Sequence, residues 1–290
     1  MPSLALSNRR SASKGCPATS TRAANAATTS ASPGRRSVCP TAASTSRRRI
    51  ERPRTVTSVS ESWWRVCARV AAAAERAGRK PEDVAIVAVS KTFPIAAIRE
   101  AYELGVRVFG ENRVQEALEK MPLLPDGIQW HLVGHLQTNK VRQAVGRFWL
   151  IHSVDSVHLA EEIERQAAKR TIDQRVLLEV NLADEPSKSG FSLMEVGDAI
   201  SEVRQMPHVR LEGLMTIGPQ VEEPEDSRWL FETLRELRDR LQAEHPELAL
   251  TELSMGMTDD FEVAVEEGAT LVRIGRAIFG ERTVAQPTTG

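Results

Sequence analysis

The amino-acid sequence predicts an α/β protein, a single (β/α)8 TIM barrel preceded by a disordered N-terminal tail. Eight short runs rich in β-branched residues follow one another along the chain, and amphipathic helical patterns separate them. These units fill about 200 residues, near the lower size limit of a (β/α)8 barrel. A doubly wound open sheet is the alternative, but no GxGxxG motif follows the first strand.

The predicted tail spans residues 1–58 and is rich in Ser, Thr, Ala and Arg, with almost no large apolar residues. Because it cannot bury enough surface to offset the entropy lost on ordering, we expect it to be disordered. Its composition is also typical of an organellar transit peptide, and a dispensable tail or a misassigned start site are further interpretations. We therefore place the barrel domain at residues 59–290.

The charge distribution excludes two classes of partner. The net charge of -1 combines a first segment, residues 1–50, with nine basic and no acidic residues, and a remainder with 29 basic and 39 acidic residues. An acidic body argues against binding to nucleic acid or to an anionic membrane. No run of about 18 apolar residues is present, so no transmembrane helix is predicted.

Cysteine usage indicates a reducing, cytoplasmic setting. The three cysteines, Cys16, Cys39 and Cys67, all precede the first predicted strand. Neither a disulfide framework nor a cysteine-ligated metal is supported by that placement.

The predicted elements begin with a helix over residues 60–77, where apolar residues recur at three- and four-residue spacing and Gly78 follows as a C-cap. The strands are predicted at residues 84–89, 106–109, 128–133, 148–152, 175–180, 209–214, 250–253 and 270–274. The remaining helices are predicted at residues 94–103, 114–120, 140–145, 157–169, 193–205, 227–243 and 261–267.

A barrel of this kind carries its chemistry at the carboxyl ends of its strands, and Lys91 stands at the end of the first. Removal from water lowers the pKa of a lysine ammonium, and the neutral amine can then condense with an aldehyde to form a Schiff base. The competing interpretation is a strand-end lysine that extends into water.

The ends of strands seven and eight predict a phosphate site. Ser254 offers a hydroxyl, Gly256 allows close approach of backbone N–H groups, and residues 258–260 are expected to open a helix whose N-terminus favours an anion. Gly275 and Arg276 add N–H groups from the other side. Pyridoxal 5'-phosphate carries both a carbonyl and a phosphate, whereas a tight turn around a core methionine is the structural alternative.

Two other patterns are given little weight. His131 and His135 are four residues apart, but His131 ends a strand and no HExxH motif is present, so no zinc site is predicted. Asp259 and Asp260 are interpreted as acids that favour a helix N-terminus rather than as an acid–base pair.

Seven stretches closely resemble the pyridoxal phosphate homeostasis protein family, whose members are single barrels of the alanine racemase N-terminal type. They are VAVSKTFP at 87–94, FGENRVQEALEK at 109–120, WHLVGHLQTNKVR at 130–142, IHSVDS at 151–156, LEGLMTIGP at 211–219, LSMGMTDDFEVAVEEGAT at 253–270 and VRIGRAIFGER at 272–282. The resemblance extends in order from about residue 60 to residue 282, and it does not cover residues 1–58.

The resemblance implies roles for residues at the barrel opening. Lys91 matches the lysine that forms the Schiff base with pyridoxal phosphate. Asn112 matches a rim asparagine near the cofactor, and Met215 lies in the segment below the ring.

The resemblance also assigns the last two strand ends. Ser254 and Met255 match the phosphate loop, and Gly275 matches a phosphate donor on strand eight. Arg273 matches the arginine that faces the pyridine nitrogen, where a cation disfavours protonation and weakens the cofactor as an electron sink.

These residues imply a protein that carries, buffers or delivers pyridoxal phosphate without catalytic turnover, since the chain ends at Gly290 without a second domain to supply another base. The expected partners are the cofactor and enzymes that lack it, and a monomer is expected. A racemase-like pyridoxal phosphate enzyme is the main alternative, and an aldolase that uses Lys91 directly on a sugar phosphate is another.

Overall fold

The computed structural model describes residues 58–183 and 189–281. The tail predicted at residues 1–58 lies outside the described residues except for Ser58. Within the described part of the chain, no helix is long and apolar enough to span a membrane.

Eight parallel strands close into one barrel in chain order, which confirms the predicted fold. The strands are β1 (Ala85–Val89), β2 (Val108–Glu111), β3 (Gln129–Leu132), β4 (Leu150–Val154), β5 (Gln174–Glu179), β6 (Val209–Met215), β7 (Glu252–Ser254) and β8 (Leu271–Ile274). β1 pairs with β8, from Ala85 opposite Leu271 to Ala88 opposite Ile274. The ring of hydrogen-bonded strands is thereby complete.

Helices follow the strands and one helix precedes them. They are α1 (Val59–Arg76), α2 (Ile95–Glu103), α3 (Val114–Lys120), α4 (Val141–Ala144), α5 (Val157–Ala168), α6 (Val196–Val203), α7 (Arg228–Glu244), α8 (Phe261–Glu266) and α9 (Arg276–Phe279). Each helix predicted from the sequence is present, whereas α9 was not predicted, because four residues are too few to show a helical period.

Ser58 forms the N-cap of α1 and starts the described fold. The Ser58 hydroxyl accepts from the Glu61 N–H at 3.1 Å, and the Glu61 carboxylate accepts from the Ser58 N–H at 3.4 Å. This reciprocal pair is a capping box, which satisfies two N–H groups at the start of the helix. Val66 and Val70 are buried on the face that packs toward α8 and α9.

Two separate apolar clusters hold the barrel together. The large one lies between the sheet and its helices and contains residues such as Phe109, Leu178 and Phe231. The small one fills the barrel interior and consists of Val87, Val89, Val133, Leu150, Leu177, Met215 and Leu271, with Val108 packed against it. Since side chains alternate between the faces of a strand, every second residue of a strand reaches the interior.

The second strand starts two residues later than predicted, at Val108 instead of residue 106. Gly105, at φ +100°, closes α2, and the Val106 N–H donates to the Ala101 carbonyl at 3.1 Å as part of that closing turn. Val106 is therefore bonded to the helix rather than to the sheet ladder.

Candidate functional site

The carboxyl ends of the strands bring the sequence-predicted residues to one end of the barrel. These residues are Lys91, Asn112, Met215, Ser254, Met255, Arg273 and Gly275. Met215, Ser254 and Arg273 are buried inside strands, and the others stand in the turns that follow.

Strand periodicity explains why most of these positions reach the same space. Arg273 follows Leu271 by two residues within β8 and so continues the inward-facing series of that strand, and Lys91 stands in the turn two residues after the inward-facing Val89. Met215 itself belongs to the interior cluster. The apolar interior cluster is thus followed, toward the carboxyl ends of the strands, by polar and charged side chains that can bind a ligand.

Lys91 lies in a turn held on both sides by one ionic network. The buried Ser90 hydroxyl donates to Glu111 Oε1 at 2.7 Å, and the Thr92 N–H donates to Glu116 Oε1 at 2.5 Å. Lys120 Nζ joins these groups, because it is 2.7 Å from both carboxylates and donates to the Ser90 carbonyl at 2.8 Å.

This network fixes an unusual backbone conformation. Thr92 has φ of +66°, in the left-handed region that a β-branched residue rarely adopts. The N–H of Thr92 and the carbonyl of Ser90 are both held by charged side chains, so the Lys91 turn is set by the end of β2 and by α3.

The turns after β7 and β8 present unused backbone donors. Gly256 has φ of +86°, and a Cβ there would lie 2.5 Å from the Ala264 side chain, so only glycine fits. Among the described residues, no acceptor is found for the backbone N–H groups of Gly256, Gly275 and Arg276. Such N–H groups at two adjacent turns are suited to bind an anion.

The helix α8 begins at Phe261, where it was predicted, but the turn that leads into it changes the predicted phosphate site. Asp260 occupies its N-cap position, and the Asp260 carboxylate accepts from the Met257 N–H at 2.6 Å. A carboxylate already stands where the helix N-terminus was expected to favour a phosphate. Asp259 instead forms an ion pair with Arg276, which connects the two turns.

Met255 and Asn112 have mainly structural contacts. The Met255 N–H donates to the Leu271 carbonyl at 3.1 Å, and its side chain packs in the cluster between sheet and helices. Asn112 is half-buried after β2, and a Cβ at Gly134 would lie 2.5 Å from the Asn112 carbonyl oxygen. Gly134 therefore permits the turn after β3 to pack against Asn112.

Arg273 is the buried cation of the site, with 5% of its surface exposed. Its Nη1 is 2.7 Å from both the carbonyl and the hydroxyl oxygen of Ser254, and its Nη2 donates to the Thr216 carbonyl at 2.8 Å. Burial lowers the pKa of Arg273 to about 10, so the guanidinium stays charged at neutral pH.

A pair of buried histidines extends this hydrogen-bond chain, and the sequence did not indicate it. His152 Nδ1 is 2.8 Å from the Ser254 hydroxyl, and His152 Nε2 is 2.9 Å from His131 Nδ1. Burial lowers the pKa of His131 to about 3 and that of His152 well below its usual value, so both rings are neutral. The pair holds Ser254 without adding positive charge beside Arg273.

His131 and His135, which were given little weight as zinc ligands, have different partners. His135 follows β3 and its Nδ1 lies 2.9 Å from the Asp155 carboxylate, whereas His131 contacts His152. No set of three His, Cys, Asp or Glu side chains within residues 58–183 and 189–281 is arranged to hold a metal ion.

Glu179, at the end of β5, is a further buried ionisable group that was not selected from the sequence. It is 6% exposed, and burial raises its pKa to about 7, with a smaller contribution from the Asp155 carboxylate. A carboxyl at a strand end gives no sequence signal that separates it from a solvated acid. Its inward position, two residues after Leu177, is the feature that distinguishes it.

Comparison with known proteins identifies relatives over the whole described barrel. The family model described as alanine racemase, N-terminal domain, matches residues 65–283. A protein of Aquifex aeolicus named pyridoxal phosphate homeostasis protein is 50% identical over 219 residues, which cover 75% of this chain and 96% of that protein. A protein of the same name from Pseudomonas aeruginosa is 42% identical, covering 81% of this chain and 100% of that protein.

A solved structure agrees with these relatives. It is PipY of Synechococcus elongatus with PLP bound, which is 40% identical and superposes with a TM-score of 0.68 over 77% of this chain and 100% of that chain.

Proposed function

The chain belongs to the pyridoxal phosphate homeostasis proteins, which have the alanine racemase N-terminal fold, and we propose that it binds pyridoxal 5'-phosphate covalently through Lys91. The cofactor supplies an aldehyde that condenses with a primary amine, and a phosphate dianion that binds N–H donors. One observation carries the proposal: the lysine turn after β1 lies on the strand adjacent to β8, whose end presents the unused N–H groups of Gly275 and Arg276.

The donor set of the site fits this cofactor. A Cβ at Gly275 would lie 3.1 Å from the Val89 carbonyl, so glycine keeps the turn after β8 close to the start of the Lys91 turn. Gly256 and Gly275 each leave a backbone N–H without an acceptor among the described residues. We assign these donors to the phosphate and the Lys91 amine to the aldehyde.

The remaining residues bind or orient the ring in this proposal. Arg273 directs a permanent positive charge toward the ring nitrogen, with Ser254 and the two histidines holding the guanidinium in place. Met215 provides an apolar floor from the interior cluster, and Asn112 contacts the ring from the rim of β2.

The same arrangement favours storage over catalysis. A cation at the ring nitrogen opposes its protonation and so weakens the ring as an electron sink. The relatives carry the name of homeostasis proteins, and we propose that this chain likewise holds the cofactor in the cytoplasm as a monomer and passes it to enzymes that lack it.

Covalent trapping tests the proposal directly. We expect borohydride reduction of the full-length protein with pyridoxal phosphate to label one lysine per chain, which peptide mass spectrometry identifies as Lys91. Lys91→Ala should lose the label. Lys80→Ala, at an exposed lysine before the opposite end of β1, is the matched control and should keep it. Full labelling of the Lys91→Ala protein would contradict the proposal.

A further inference from the structure

A cavity of about 200 Å³ opens beside the ends of β5 and β6. Its lining consists of His135, Glu179, Val180, Asn181, Ser189 and Ile217. None of the residues that we assign to the cofactor belongs to this lining.

Glu179 gives the cavity its chemical character. The side chain is 94% buried, since 6% of its surface is exposed, and it faces the cavity. Its backbone carbonyl accepts from the Phe191 N–H at 2.8 Å, but no group among residues 58–183 and 189–281 donates a hydrogen bond to its carboxylate. A buried carboxylate without donors is unfavourable, so the cavity holds an acceptor that a ligand can satisfy.

The charged groups around Glu179 leave this acceptor available. Asp155, after β4, is paired with His135 of the β3 turn at 2.9 Å. Arg273, on β8, attracts Glu179 electrostatically but donates its hydrogen bonds to Thr216 and Ser254. Within residues 58–183 and 189–281, these three groups are the charges that act on Glu179, and none of them donates a hydrogen bond to its carboxylate.

The lining selects the class of ligand. One carboxylate without donors calls for a cationic donor, and the absence of any three-ligand cluster in the described residues argues against a metal ion. Val180 and Ile217 add apolar surface, which suits a short carbon chain. We propose that this cavity binds the ammonium group of a small primary amine, with Glu179 as the acceptor and the carbon chain against Val180 and Ile217.

The proposal extends beyond cofactor binding and does not require it. If Lys91 holds an aldehyde cofactor, an amine in this cavity shares the same end of the barrel with it. The inference is nevertheless tested on the cofactor-free protein, so its failure is distinguishable from failure of the Lys91 assignment.

Propylamine is the probe, titrated into the full-length, cofactor-free protein by calorimetry. 1-Propanol and propionate are the neutral and anionic controls of matching size. We expect saturable binding of propylamine and at least about tenfold weaker binding of both controls, because only the ammonium pairs with a carboxylate. Binding of 1-propanol as tight as that of propylamine would overturn the proposal.

Variants and pH identify the acceptor. Glu179→Gln should abolish propylamine binding, whereas Glu236→Gln, at an exposed position on α7, should leave it unchanged. Because the ammonium pairs with the ionised carboxylate, and the Glu179 pKa is about 7, wild-type affinity should fall roughly 100-fold from pH 8 to pH 5. Unchanged affinity in Glu179→Gln overturns the proposal. Should that variant not fold, a pH-independent affinity of the wild type does the same.

Discussion

The reactivity expected of Lys91 depends on the backbone on either side of it. Ser90 and Thr92 are held by Glu111, Glu116 and Lys120, none of which was selected from the sequence. The position of Lys91 followed from strand order alone, because the end of the first barrel strand is a fixed place in this fold. The ionic network that holds the Lys91 turn could not be predicted in this way, because the sequence does not distinguish Lys120 on α3 from a solvated lysine.

At the level of single residues, the phosphate group should dominate affinity. The N–H groups of Gly256, Gly275 and Arg276 are expected to bind the phosphate, and hydrogen bonds to charged groups contribute about 1.5–3 kcal/mol each. Pyridoxal without its phosphate should therefore bind at least about 100-fold more weakly. Equilibrium titration of both vitamers, followed by absorbance, measures the ratio, and equal affinities would refute the phosphate assignment.

Arg273 supports a second prediction at this scale. Its pKa of about 10 keeps Arg273 charged at neutral pH. In the proposed site this charge opposes protonation of the ring nitrogen and so weakens the cofactor as an electron sink. We therefore expect no exchange of amino-acid α-protons into D2O above the level of a Lys91→Ala blank. Proton NMR across a panel of amino acids provides the measurement. Exchange at ordinary enzymatic rates, on the order of 10 per second, would favour the racemase-like function instead.

Glu179 should make the stability of the protein depend on pH. Its folded-state pKa is raised from 4.5 to about 7, so the folded state binds a proton that the unfolded state releases. The free energy of unfolding should therefore fall as pH rises from 4.5 to 7, by about 3 kcal/mol from this residue. Urea denaturation at pH 4.5 and pH 8 measures this change.

Glu179→Gln is the matching variant for that titration. It should equal the wild type at pH 4.5 and exceed it at pH 8, because the amide carries no charge to bury. Glu236→Gln is exposed and should follow the wild type at both values. If the difference in stability between Glu179→Gln and the wild type is the same at both pH values, the pKa of Glu179 is not raised by folding.

At the level of elements, Lys120 connects β1, β2 and α3. Its Nζ contacts Glu111, whose side chain is fully buried, and removal of the amine would leave that carboxylate without its cation. Lys120→Met should therefore lower the free energy of unfolding by about 3–5 kcal/mol. It should also slow labelling of Lys91, because the Ser90 carbonyl loses its donor.

Lys169→Met is a suitable control, since Lys169 is exposed after α5. Urea denaturation and the rate of borohydride-trapped labelling are the two measurements. If Lys120→Met labels Lys91 as fast as the wild type, the network is structural and does not position the lysine.

Elements were predictable where a periodic pattern ran without interruption. The eight strands and the helices that separate them followed from such patterns, and the order of the strand ends placed Lys91, Arg273 and Gly275 together. Local hydrogen bonds at the ends of elements could not be predicted from these patterns. Val106 is bonded to α2, and the Asp260 carboxylate accepts from the Met257 N–H, before α8, rather than from an N–H of the helix. Pairings between distant side chains, such as His152 with Ser254, require the closed barrel and have no sequence signal.

At the level of the whole molecule, Ser58 is the first residue of the described barrel and the N-cap of α1. Removal of residues 1–57 should leave the melting temperature and cofactor spectrum unchanged, because the composition of that segment cannot supply a core. Removal of Ser58 as well should cost about 1 kcal/mol through loss of the capping box of α1. Thermal denaturation of both shortened proteins tests this, and a large loss on removal of residues 1–57 alone would show that the segment stabilises the barrel.

The closed sheet also restricts the path by which a ligand could enter or leave the barrel. β1 is bonded to β8, so no pair of strands in the described barrel parts to release a ligand sideways, and Val87, Leu150 and Leu271 obstruct the way downward. In the proposed function, the cofactor must then enter and leave through the same opening, at the carboxyl ends of the strands. If the chain delivers its cofactor as we propose, a recipient enzyme and an incoming cofactor molecule would compete for that opening, and the recipient would have to approach the eight strand ends. With a single site and a single opening, a bound cofactor would have to leave before the next one could bind.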